Sequence, residues 1–234
     1  MQYVEIKIAV EEQIESGLLP PGQKLPPERK LAESFNTTRV TLREALSLLE
    51  IEGKIYREDR RGWFISPPPL SYDPGKDFSF TALATANERK PRTEVLTSKT
   101  ILATKYASQI LDLQPFSDVH KIERLRYLDE RPVMHVTHYV QPDYAPSLLD
   151  HDLTLSLSGI CASEFGIHPA STQIRLRTTS LLGDIAQSLR ATPGAPAMVI
   201  ERSSLDSSGA IIDCRIEYWR HDAISIESSV ELKK

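Results

Sequence analysis

Residues 36–46 read NTTRVTLREAL, and the fold of the first part of the chain turns on them. Taken as a helix from about Thr38 to Glu52, the stretch puts Leu42, Ala45, Leu46 and Leu49 at i, i+3, i+4 and i+7, which makes one buried stripe. Arg39 and Arg43, four apart, leave one face together with apolar residues behind them. Thr37 or Thr38 can cap the start through its hydroxyl, and Gly53 ends the helix.

Upstream, PERKLAESF predicts a short helix with Pro27 in its first turn, Glu28 near the positive end of the dipole, and Leu31 and Phe35 as its apolar pair. LLPPGQKLPP before it is a connector, since its prolines and Gly22 cannot continue a helix. Residues 3–16 predict an amphipathic helix with Val4, Ile8 and Ile14 inward, Glu5, Glu11, Glu12 and Glu15 outward, and Gly17 at its end. Downstream, KIYREDRRGWFIS predicts a β-hairpin: Ile55 and Trp63–Ile65 are strand-like, and the polar turn carries Arg60, Arg61 and Gly62. Helix, helix, turn, helix and hairpin within residues 1–66 describe a winged helix-turn-helix.

SPPPLSYDPGKD carries four prolines and a glycine, so residues 67–77 are expected to be a linker. Beyond it, residues 78–228 are expected to form a second domain. Its strands are predicted over 94–99, 119–128, 132–140, 173–179, 196–204 and 211–219, and its helices over 101–111, 157–165 and 185–190. Alternating β-branched and charged residues predict a mixed, largely antiparallel sheet with one wet face. The fold class is therefore α+β.

Composition narrows the function. The chain has 234 residues, 40% hydrophobic and 26% charged, which is the globular range. No apolar run approaches the ~18 residues of a membrane span, and the acidic N-terminus is no signal peptide, so the cytoplasm is expected. Cys161 and Cys214 lack metal-like spacing and are expected as buried thiols. The net charge is −4, so a nucleic-acid function must rest on where charges sit.

They sit well for it. In a helix-turn-helix the second paired helix enters the major groove with its N-terminal turns, where Arg39 and Arg43 lie. An arginine fork matches the O6 and N7 acceptors of guanine. Thr38 and Thr41 can reach phosphates, Arg29 the backbone or a base edge, and Arg60, Arg61 and Gly62 the neighbouring groove. The plainer alternative is a solvated face with Arg43 paired to Glu44 or Glu50.

The string Leu25-Pro-Pro-Glu-Arg29, Leu31-Ala32, Phe35, Thr38-Arg39, Thr41-Leu42-Arg43, Ala45-Leu46, Leu49, Glu52-Gly53 closely resembles the signature of the GntR family of bacterial transcription regulators. Pro27 and Asn36-Thr37-Thr38 depart from its common residues without removing a basic contact. The resemblance implies DNA contacts at Arg29, Thr38, Arg39, Thr41, Arg43 and Gly62, and a homodimer on a palindromic double-stranded DNA operator.

The second half resembles the UTRA effector domain of the HutC-type branch, whose fold is like chorismate lyase. The resemblance is carried by Phe78–Thr81, Ile122–Arg126, Arg131-Pro132, Leu155–Leu157, Glu164–Gly166, Asp206–Gly209 and Tyr218–Asp222. Arg124 and Arg126, two apart on a strand, share a face and can clamp a small anion. The alternative is a solvated sheet face paired to Glu123 or Asp129. By resemblance to sugar-phosphate-sensing relatives, Phe80, Thr81, Arg124 and Ser156 hold a phosphate, and Arg126 and Asp213 hold the rest. Trp219 replaces a frequent tyrosine and joins the expected site. Ser158 and Val136 replace a tyrosine and a glutamate, which tells against an amino-sugar phosphate. The segment from Tyr56 to Pro74 resembles regulators of phosphonate use, so 2-aminoethylphosphonate or a similar phosphonate is the expected effector. A histidine-pathway metabolite, a fatty acid, a lyase-like enzyme and a DNA-binding protein that senses nothing are the other readings. His135 and His138 point to opposite faces, and no metal or cofactor is expected.

Overall fold

The computed structural model describes residues 1–76 and 79–229. Phe78, one carrier of the resemblance, and Asp77 lie outside the described residues. The chain packs as two compact units. One is Met1–Ser71 with Ser180–Pro196 and His221–Ser225; the other is made of the described residues of Tyr72–Thr179 with Ala197–Arg220 and residues 226–229. Among the described residues no helix is long and apolar enough to cross a membrane.

The first unit opens with α1 (Gln2–Glu15), α2 (Glu28–Ser34) and α3 (Arg39–Ile51), followed by the hairpin of β1 (Ile55–Glu58) and β2 (Gly62–Ile65). Asn36 takes the left-handed conformation between α2 and α3, a tight turn that asparagine tolerates. The predicted stripe of α3 is the centre of the core: Leu42, Ala45, Leu46 and Leu49 pack with Ile6, Val10, Leu25, Ala32, Ile55, Trp63 and Ile65. In α1 the expected stripe holds for Ile14 and is wrong for Val4 and Ile8. Val4 and Ile8 are exposed, while Ile6 and Val10 are buried with Tyr3 and Ile14 against them. The apolar residues of this helix offer two overlapping stripes, and packing on α3 selects the other one.

Within the expected linker, β3 (Leu70–Tyr72) forms and pairs with β10 (Ile224–Ile226). Then follow α4 (Phe80–Ala86), β4 (Pro91–Leu102), α5 (Lys105–Leu111), β5 (Asp118–Leu128), β6 (Arg131–Val140), α6 (Leu157–Phe165), β7 (Ser171–Ser180), α7 (Gly183–Ser188), β8 (Pro196–Leu205) and β9 (Ile211–Arg220). Six strands form one sheet in the order β4-β5-β6-β9-β8-β7, and β4/β5, β5/β6, β6/β9 and β8/β9 are antiparallel. The helix expected from Ile101 starts later: Ile101 and Leu102 finish β4, and Thr104 caps α5 by accepting from the Ala107 amide at 3.2 Å. The short α4 was not expected; Ser79 caps it, accepting from the Ala82 amide at 3.1 Å.

The expected wet face is confined to the sheet edges, since every residue of β6 is buried. One face of the central strands packs Ile122 and Val140 under Leu157, Ile160 and Cys161. The other packs Val119, Tyr139, Cys214 and Ile216 under Ala107 and Leu111 of α5. Cys161 and Cys214 are free and buried, and burial pushes each thiol up to about 11.

Candidate nucleic-acid interface and ligand cavity

Thr38 sets the start of α3: its hydroxyl accepts from the Thr41 amide at 3.2 Å and lies 3.0 Å from the Thr41 hydroxyl. One turn of helix therefore presents Arg39 and Arg43 outward, each more than half exposed. Both meet Glu28 of α2, Arg43 through Nε at 2.7 Å and Arg39 at 3.7 Å. Arg43 thus pairs with neither Glu44 nor Glu50 as its first partner; the turn brings in Glu28 instead. Trp63 Nε1 of β2 donates to the same carboxylate at 3.2 Å, which ties α2, α3 and the hairpin together. Burial pushes the Glu28 carboxyl up, but the bonds from Arg43 and Trp63 outweigh it and hold it below its ordinary value.

Arg29 lies on the exposed side of α2, paired with Glu33 at 3.0 Å. At the hairpin tip Arg60 takes a left-handed backbone and is almost wholly exposed, and Arg61 pairs with the buried Glu58. Gly62 has φ +101°, which favours glycine, and an added Cβ would meet Lys24 Cε at 3.5 Å. Sequence reasoning missed Val40, which is 70% exposed between the two arginines. Its signal was there: an apolar residue off the buried stripe in the first turn, of the kind that can meet a thymine methyl.

In the second unit a cavity of about 360 Å³ opens on one face of the sheet. The register builds its floor in rows across β5, β6, β9 and β8. Arg126 lies beside Met134 and Trp219; Arg124 beside Val136 and Glu217; His138 beside Arg215 and Arg202; Val140 beside Asp213 and Ser204. Phe80 and Thr81 of α4, and Ser156 and Ser158 at the start of α6, line the same space. The cavity therefore gathers Phe80, Thr81, Arg124, Arg126, Ser156, Asp213 and Trp219, all seven residues expected around an effector.

Arg124 is 1% exposed, so a solvated sheet face is excluded, and it pairs with neither Glu123 nor Asp129. Its Nη1 donates to the carbonyls of Leu153 and Leu155 at 2.9 and 2.7 Å, and its Nη2 to His138 Nε2 at 2.9 Å. His138 accepts and is neutral: burial first, then the charges of Arg124, Arg215 and Arg126, hold it well below the ordinary histidine range. Burial, then repulsion from Arg126 and Arg215, pushes Arg124 down to about 8. Burial likewise pushes Arg126 down to about 10. Arg126 donates to Thr93 Oγ1 at 3.2 Å and lies over the Phe80 ring at 4.9 Å. Trp219 packs near Phe80 and donates from Nε1 to Glu217 at 2.8 Å. Arginine keeps its proton in proteins, so these shifts record buried charge that the nearby Glu217 carboxylate offsets only in part.

Sequence reasoning missed Arg215, Glu217, His138, Arg202 and Tyr72 as lining residues. Arg215 and Glu217 were legible from Asp213 and Trp219, because alternate residues of a strand share a face. Arg202 follows only from the β8–β9 register.

Two family models match the chain: "Bacterial regulatory proteins, gntR family" over residues 2–65 and "UTRA domain" over residues 86–225. The HTH-type transcriptional regulator YihL of Escherichia coli K12 is 31% identical over 216 residues, 91% of each chain. The HTH-type transcriptional repressor NagR of Bacillus subtilis is 27% identical over 220 residues, 94% of this chain and 90% of its own. Among solved structures, PhnF from Mycobacterium smegmatis superposes with a TM-score of 0.68 at 22% identity, covering 97% of this chain and 100% of that one.

Proposed function

The chain belongs to the GntR family, a DNA-binding transcriptional regulator with a UTRA domain behind its helix-turn-helix, and on that premise we propose that it is a repressor released by a small phosphonate or phosphorylated metabolite. Arg39 and Arg43 read bases in a palindromic operator from two copies of the chain. Arg29, Thr38, Thr41, Arg60, Arg61 and Gly62 hold the DNA backbone. Phe80, Thr81, Arg124, Arg126, Ser156, Asp213 and Trp219 hold the effector. The setting is cytoplasmic. Repression as the sign of control is supported by the name of the NagR relative.

The observation that carries the effector half is Arg124. A guanidinium 1% exposed, without a carboxylate partner among the described residues, lines an open cavity beside a second buried arginine. An anion in that cavity recovers the electrostatic energy that burial costs. Effector control then requires only that the anion bind the operator-free state more tightly than the operator-bound one. The sequence relatives are transcriptional regulators, which favours this reading over a lyase-like one.

The test is direct. The full chain selects its duplex from random-sequence DNA, and the selected duplex is titrated in fluorescence anisotropy with small phosphonates and phosphate esters. Release by one of them at micromolar to millimolar concentration is expected. Retention of the duplex across the whole panel would overturn effector control by this class of anion.

A further inference from the structure

Arg202 lies on β8, at the side of the cavity away from Arg124 and Arg126 on β5. It is 6% exposed. Its Nη2 donates to the Tyr72 hydroxyl and, at 3.4 Å, to the Pro74 carbonyl, and its Nε has no partner. No carboxylate among the described residues comes within ion-pair distance of it. Glu217 is taken up by Arg215 at 3.0 Å and by Trp219 Nε1. Asp213 lies one row along β9, opposite Ser204 rather than Arg202. Arg202 also stands directly across from Arg215 in the β8–β9 register, a like-charge pairing that is unfavourable on its own. A buried, acid-free guanidinium opposite a second guanidinium is a place for an anion.

We propose that Arg202 forms a separate carboxylate subsite of the cavity, so that the effector is a phosphono- or phosphocarboxylic acid. Its dianionic phosphorus group lies at Arg124 and Arg126, and its carboxylate at Arg202. This rests on the anion-cavity reading above and goes beyond it by fixing what the far end of the molecule must carry. The charge has the right sign: Arg124, Arg126, Arg202 and Arg215 line the cavity against Asp213 and Glu217, so the lining carries more positive than negative charge. Three strand separations and a two-residue offset in register put the backbones of Arg124 and Arg202 about 16 Å apart, so a short effector reaches both where the two long side chains converge over the cavity. The Tyr72 hydroxyl and Pro74 carbonyl fix the guanidinium plane, which suits two-point recognition of a planar carboxylate.

The experiment compares 3-phosphonopropionate with propylphosphonate, which lacks the carboxylate, on the full-length chain by calorimetry and thermal shift. At least tenfold tighter binding of 3-phosphonopropionate is expected. In Arg202→Gln the ratio of the two Kd values should collapse towards one, and Arg202→Lys, which keeps the charge, should retain part of it. Equal affinity of the two compounds for the parent chain overturns the carboxylate subsite and leaves the anion cavity standing. A preference that survives intact in Arg202→Gln also overturns it. Failure of every phosphonate and phosphate ester to bind overturns both readings together.

Discussion

Replacing Arg124 by glutamine separates a binding residue from a structural one, because the two roles move different observables. Burial pushes Arg124 down to about 8, and the fall from its ordinary value corresponds to roughly 6 kcal/mol at 1.36 kcal/mol per pH unit, a ceiling on the charge penalty in the empty cavity. Against this stand three hydrogen bonds, to Leu153 O, Leu155 O and His138 Nε2, each worth about 1.5–3 kcal/mol to a charged donor. The terms are of similar size and opposite sign, and glutamine keeps one donor group. Arg124→Gln should therefore shift the melting temperature of the ligand-free chain by only a few degrees. Binding changes far more. A phosphonate oxygen 4 Å from the guanidinium gains about 4 kcal/mol at an effective dielectric of 20, which is about a thousandfold in Kd. Thermal shift with a phosphonate that stabilises the parent reads both quantities in one titration. A variant that melts ten degrees lower yet responds to the phosphonate like the parent refutes the reasoning: Arg124 would then hold the Leu153–Leu155 loop and nothing else.

Three further outcomes follow from the head. Thr38→Ala removes the cap of α3 and should cost about 1 kcal/mol, with Thr38→Ser restoring it; denaturant unfolding of both variants checks this. Glu28 has a depressed carboxyl, so its contribution is present above the unfolded value near 4.5 and is lost as pH falls through the lower folded value. Glu28→Gln should flatten the acid limb of the stability curve at and below about pH 4.5, by an amount on the order of 0.5–1 kcal/mol for a pair this exposed. Arg60→Ala and Arg61→Ala should weaken operator and random DNA alike and each lower the salt slope of binding by about 1, since phosphate contacts carry no sequence information.

Much of this was legible before any coordinates. The α3 stripe Leu42-Ala45-Leu46-Leu49 is buried as its period requires, and Thr38 caps it. Strands β5, β6, β8 and β9 fall within a residue or two of their predicted bounds, because alternating β-branched residues bounded by turns have few other solutions. The errors have local causes. In α1, neighbouring apolar residues allowed two stripes, and only contact with α3 decided between them. Ile101 and Leu102 look equally at home in a strand or a helix, and the Thr104 cap settles which. The cavity was half legible: Arg124 and Arg126 declare a shared face by their spacing. Their burial was not, because it depends on α4 and α6 closing over strands far away in sequence. Arg202 was out of reach, since nothing in its own segment pairs it with Arg215.

The central claim is that α3 reads DNA through Arg39 and Arg43, and it is tested most directly by anisotropy of the selected duplex with Arg39→Ala and Arg43→Ala. A good arginine–guanine pair is worth about 1–3 kcal/mol per site, so each substitution should weaken specific binding by about 5- to 150-fold in a single site, and by more in a dimer. Binding to random DNA should change far less, and the melting temperature should hold. Unchanged affinity for the selected duplex in either variant, with the protein folded, would contradict the account.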